Sequence, residues 1–166
     1  MQEEMIEVVD SEGNVISIAR RSEVHGNPAL MHRVVHVLVF GSDGRLYLQK
    51  RSMSKDVAPG LWDTSVGGHV DPGEALPVAA MREMKEELGV ECEPEFLYTY
   101  IHSNAYETEQ VHTFRCTHDG PFSFNVEEID ELRAWSLDEI AAHVESGALS
   151  HNFVHEINTY ISRYGS

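Results

Sequence analysis

Cysteine is scarce: Cys92 and Cys116 are the whole complement of a 166-residue chain. Two thiols do not build a disulfide framework, which points to a reducing compartment. Basic residues are also few, 12 Lys and Arg against 28 Asp and Glu, for a formal net charge of −16. Such a surface repels a phosphate backbone, so no nucleic-acid polymer is expected as a partner. No apolar run approaches the roughly 18 residues of a membrane span, so no membrane is expected either. The start, Met1-Gln2-Glu3-Glu4-Met5, has neither the basic residues nor the apolar stretch of a secretory signal. A cytoplasmic location is therefore the expectation. There is no internal repeat, low-complexity tract or linker, and the length suits one domain over 1–166.

What is present reads as alternating strands and helices. Two apolar runs between Ile6 and Arg20 flank the turn cluster Asp10-Ser11-Glu12-Gly13-Asn14, which predicts a hairpin. A short helix or turn follows at Ser22–His25, and Gly26-Asn27-Pro28 breaks the pattern. His32–Phe40 reads as a buried strand with Leu46–Arg51 as its partner, then a loop over Met53–Thr64 and a glycine-rich stretch over Ser65–Val70. A helix is predicted from Glu74 to Leu88, with Pro77 in its first turn and Gly89 to end it. Strands are expected at Phe96–Ile101, Gln110–Thr117 and Arg133–Trp135, and helices at Leu137–Glu145 and Phe153–Arg163. Strands on both sides of one central helix, with helices at the end, imply a mixed α/β layered domain.

The central helix carries the chemistry. Residues three and four apart share a helical face, so Glu83, Glu86 and Glu87 converge. Three carboxylates in one turn repel each other unless a hard cation lies between them, and Mg²⁺ and Mn²⁺ prefer oxygen ligands. Arg82 is placed to pair with these acids. Gly67-Gly68 lets backbone approach closely, so that a carbonyl joins the ligands. Spacing alone does not exceed an ordinary solvated acidic face.

The wider pattern does exceed it. Residues 68–90 resemble the Nudix box, Gly-x5-Glu-x7-Arg-Glu-U-x-Glu-Glu-x-Gly-U with U bulky and apolar. Every specified position is filled, by Gly68, Glu74, Arg82, Glu83, Met84, Glu86, Glu87, Gly89 and Val90. The resemblance implies an α/β/α sandwich around a mixed sheet. It also implies Mg²⁺ or Mn²⁺ held by Glu83, Glu86 and Glu87 with Gly68, and Arg82 and Glu74 orienting them. The implied activity is metal-dependent hydrolysis of a diphosphate linkage in a nucleoside diphosphate derivative or related organic diphosphate. Dimers are common in the family, so a homodimer is a further expectation.

Roughly residues 5–160 also look like the Nudix branch related to isopentenyl diphosphate isomerase. The likeness runs through the hairpin, Leu48-Gln49-Lys50-Arg51, Pro59-Gly60-Leu61-Trp62, Gly68-His69 and Glu107-Thr108-Glu109. It implies a second metal, Zn²⁺ or Mn²⁺, in a cage of His25, His32, His69, Glu107 and Glu109. It also implies diphosphate contacts from Arg51 and Lys55. Gly67 departs from it, because isomerases place a catalytic cysteine there. Isomerase chemistry is thus disfavoured, and hydrolysis on an isomerase-like frame is the expectation. A non-catalytic nucleotide-sensing module is the remaining alternative. His151 and His155 are read as surface residues, and Trp62 as packing its loop.

Overall fold

A computed structural model describes residues 3–165, so Met1, Gln2 and Ser166 lie outside the described residues. The expected opening hairpin pairs β1 (Met5–Val9) with β2 (Val15–Arg20). Its turn is held by the Asp10 carboxylate, which accepts the Glu12 and Asn14 amides at 2.9 and 3.0 Å, while Gly13 takes φ +86°. A single turn, α1 (Arg21–Val24), leads to the ten-residue strand β3 (Met31–Phe40).

β3 organises the sheet. Along one edge it runs parallel to β8 (Thr108–Thr117), from Met31↔Thr108 to Phe40↔Thr117. Along the other it meets β1 at His32, β6 (Val66–His69) over Val34–Val37 and β4 (Leu46–Arg51) at Phe40. β7 (Glu95–Ser103) extends the sheet beyond β8. Beyond β4 lie β5 (Trp62–Asp63) and β9 (Ile129–Trp135), both antiparallel to it. β5 lies inside the segment expected to be a loop. At two residues, it is too short to leave a period in the sequence.

Side chains alternate along β3, and both faces are covered, which is why the run is nearly all apolar. Val35, Val37 and Val39 pack under α2 (Leu76–Leu88) with its buried Ala79, Ala80, Met84 and Leu88. Each such large side chain contributes about 1.5–3 kcal/mol by leaving water. Leu38 joins the opposite core, where Leu46, Leu48, Phe153 and Ile157 pack beneath α3 (Leu137–His143) and α4 (His151–Tyr164). The architecture is the expected α/β/α sandwich around a mixed sheet.

α2 begins at Leu76 rather than at Glu74. Ala75 is extended, and Glu74 closes a turn instead, its carboxylate accepting the Asp71 amide at 3.0 Å. Gly89 ends the helix at φ +67°, as its position predicts. β9 is longer than the three residues read from sequence, because its exposed Asp130 and Glu131 hide the strand pattern. No helix among the described residues is long and apolar enough to cross a membrane.

Candidate active site

Two clusters of ligand-type side chains open into one cleft of about 700 Å³. The first lies on α2. Arg82 is its hub: Nε and Nη2 donate to the two Glu74 carboxylate oxygens at 2.8 and 2.9 Å, a bidentate pair. Nη1 donates to Glu83 at 2.8 Å and to Glu86 at 3.3 Å, and Nη2 also reaches the His69 carbonyl at 3.0 Å. The guanidinium thus ties the helix to the turn before it and to the end of β6. The Glu74 partnership raises the Arg82 pKa, and Arg82 in turn lowers that of Glu74.

Glu83 and Glu87 are the half-buried members, and Glu86 is exposed. Desolvation raises both pKa values, Glu87 further because Glu83 is beside it. Gln49 on β4 donates to Glu87 Oε1 at 3.1 Å, while the buried Oε2 has no hydrogen-bond partner among the described residues. Gly68 explains how Glu83 fits. A Cβ there would stand 2.2 Å from the Glu83 carboxyl carbon, so the carboxylate rests on bare backbone. An oxygen-rich pocket with an unsatisfied buried carboxylate oxygen suits a hard divalent cation.

The second cluster gathers the five residues of the expected cage. Ligand atoms of His25, His32 and His69 lie within 4.8 Å of one another, as do those of His32, Glu107 and Glu109. His25 Nε2 is 3.2 Å from Glu107, and His32 Nε2 is 3.8 and 3.7 Å from Glu107 and Glu109. Strand register explains the meeting. His32 pairs with Glu109 across the β3–β8 ladder, and Glu107 immediately precedes β8, its carboxylate 3.8 Å from the same His32 nitrogen. His32 is fully buried, yet neither ring nitrogen has a hydrogen-bond partner among the described residues. Burial depresses the pKa of His32 to about 3 and of His25 to about 4, so both rings are neutral, as metal ligation requires. Burial also lifts Glu109, with help from the charge of Glu107, to about 7. These residues fit a cation bound by nitrogen and oxygen.

Arg51 and Lys55 line the same cleft. Arg51 is steadied by the Val57 carbonyl at 2.7 Å and by Asp63 at 3.6 Å. Sequence reasoning missed several neighbours. Glu4 accepts from His69 Nδ1 at 3.3 Å and pairs with Arg21 at 3.2 Å, and the His69 contact brings its pKa down to about 2. That contact leaves Nε2 of His69 free to act as a ligand. Asn152 donates to Glu109 at 3.2 Å. A lone acid in an acidic segment and a lone amide carry no pattern that could have revealed either. His155 is not a surface residue as expected. It is partly buried, 2.8 Å from His102 and against Tyr100, while His151 is exposed. Trp62 does pack its loop, edge-on to Trp135 with Arg133 against both rings.

A NUDIX domain model matches residues 30–154. An isopentenyl-diphosphate delta-isomerase 2 of Aromatoleum aromaticum is 31% identical, over 91% of the chain and 82% of the relative. An uncharacterized Nudix hydrolase of Yersinia pestis is 33% identical, over 86% of the chain and 78% of the relative. The crystal structure of DR0079 from Deinococcus radiodurans superposes with a TM-score of 0.80 at 25% identity, over 94% of the chain and 98% of its own.

Proposed function

The chain belongs to the Nudix family, and on that premise we propose that it hydrolyses a diphosphate linkage in a nucleoside diphosphate derivative or related organic diphosphate. The observation that carries the reading is the seat of Glu83 on Gly68, with Arg82 gathering Glu74, Glu83 and Glu86 beside a half-buried Glu87. Glu83, Glu86, Glu87 and the Gly68 carbonyl would hold Mg²⁺ or Mn²⁺. That ion supplies charge neutralisation for the diphosphate and activation of water. Arg82 keeps the acids on one side of the cleft, Gln49 fixes one oxygen of Glu87, and a carboxylate of α2 takes the proton of the attacking water. Arg51 and Lys55 supply positive charge to the diphosphate from across the cleft.

The test is a panel of nucleoside diphosphate derivatives, dinucleotides and isoprenoid diphosphates with Mg²⁺, Mn²⁺ or Zn²⁺. Glu86→Gln and Glu87→Gln are expected to abolish metal-dependent phosphate release. Full activity in both would sink the reading.

A second reading, isopentenyl diphosphate isomerisation, draws support from the histidine cage and the isomerase-named relatives. The absence of a thiol at Gly67 speaks against it. Turnover of isopentenyl diphosphate in D₂O without deuterium in an allylic product would remove it. The cage itself is proposed to hold Zn²⁺ or Mn²⁺, on the strength of the buried, unpartnered His32 ring.

A further inference from the structure

Behind the two clusters lies a buried polar network that neither uses. Its centre is Glu156 of α4, fully buried. Glu156 Oε1 accepts from Thr113 Oγ1 at 2.8 Å and Tyr100 OH at 3.1 Å, and Oε2 accepts from Tyr98 OH. The fourth partner is His36 Nδ1, 2.9 Å from Oε1. An ionised carboxylate only accepts, so the three hydroxyls donate to Glu156 and His36 contributes Nδ1–H. The ring is thereby fixed in orientation with its other nitrogen uncommitted.

That other edge faces the cleft. His36 lies opposite Gly67 in the β3–β6 pairing and lines the cleft with it. A Cβ on Gly67 would stand 3.2 Å from His36 Cδ2 and 3.6 Å from Nε2. The missing side chain at 67 therefore leaves the floor of the cleft to the imidazole. An apolar set of the same volume packs at no greater cost than a buried ionic network. The network is directional, and its direction is toward the cleft.

We propose that His36 is a substrate-contacting residue, donating Nε2–H to an oxygen of the bound diphosphate in the space that Gly67 leaves open. The proposal rests on the diphosphate reading above. Glu156 is the positioning residue, since it acts only through the ring. Burial opposes charging the ring, but the hydrogen bond and charge of Glu156 outweigh it and raise the His36 pKa, with Glu109 and Asp63 adding to the effect. The same contacts hold Glu156 below the usual carboxylate range despite its burial. The two partners agree on an imidazolium–carboxylate pair, which suits an anionic acceptor.

The experiment follows histidine ring nitrogens by NMR in ¹⁵N-labelled protein as methylenediphosphonate and Mg²⁺ are added. His36 Nε2 is expected to shift in a saturable manner, while His118, beyond the far end of β8, does not. Gly67→Ala crowds the ring from the cleft side without touching Glu156, and is expected to weaken analogue binding about tenfold, the scale of one charged hydrogen bond. His36→Leu is expected to lower kcat/KM of the best panel substrate about tenfold or more, and His36→Gln to recover part of that loss. An unmoved Nε2 at saturation, or wild-type kcat/KM in all three variants, overturns the proposal. Glu87→Gln separates the two readings. An inactive Glu87→Gln alongside an unmoved His36 sinks this inference alone. A wild-type protein that neither binds the analogue nor turns over the panel sinks both.

Discussion

The two ligand clusters differ in who supplies their counter-charge. The box acids on α2 bring their own, since Arg82 reaches Glu74, Glu83 and Glu86 within 3.3 Å. The cage contains three imidazoles and two carboxylates with no guanidinium or ammonium among them. Buried charge without a partner is costly, and the cage relieves that cost by neutrality: His25 and His32 shed protons while Glu109 gains one. The α2 cluster is thus assembled by the protein alone. The cage is an arrangement whose charged form a cation would stabilise. On the proposed reading, the first site is expected to govern turnover, and the second to couple metal to stability.

The comparison breaks most sharply at Gly68. Gly68→Ala sets a methyl into the Glu83 carboxylate and is expected to cut phosphate release by about 10²–10³, the scale of removing one preorganised electrostatic group. Metal retained per chain after dialysis should stay unchanged, because the nearest atoms the added methyl meets all belong to Glu83. Steady-state rates with elemental analysis check both halves, and loss of the retained metal would erase the distinction. Next in size is His32→Gln. Wild-type protein at a metal concentration of 100 times Kd should gain about 2.7 kcal/mol over its chelated form, and the variant should gain almost none. Denaturant melts with and without Zn²⁺ measure this, and a full gain in the variant would discard the cage.

The smallest effect concerns pH in metal-free protein. Glu109 has a folded pKa of about 7, above its ordinary 4.5, so its contribution to stability is present below 4.5 and is lost as pH rises to about 7. His25 and His32 have folded values below 6.5, so theirs is present above 6.5 and is lost as pH falls. Glu109→Gln removes only the first slope. The metal-free variant should melt about 2–4 °C above wild type at pH 7.5, the shift produced by about 1 kcal/mol, with the gap closing toward pH 5. A gap constant with pH would mean that Glu109 is not the titrating group.

The α2 site was legible because a helix places sequence neighbours in space: Arg82, Glu83, Glu86 and Glu87 are adjacent in both. The cage lies on four separate segments, and only the likeness to the isomerase branch assembled it before the fold did. Glu4, Asn152 and the His36–Glu156 network were illegible for the same reason. His36 sits within a run of valines, where alternation alone gives it a face and no role. Glu156, at a core position of α4, reads as one more surface acid in a chain rich in acids. The helix start at Leu76 escaped because Glu74 is a good helix former engaged in a turn.

The long parallel ladder between β3 and β8 has a kinetic consequence. His32 and Glu109 meet only when strands beginning at positions 31 and 108 have found each other, after the intervening strands and α2 have been synthesised. Contacts so remote along the chain bear a large loop-closure cost and form slowly. The Nudix box, in contrast, is local enough to take shape with its own helix. If the cage takes up metal as proposed, its acquisition during refolding is expected to report this remote closure and to run behind the helical signal of α2.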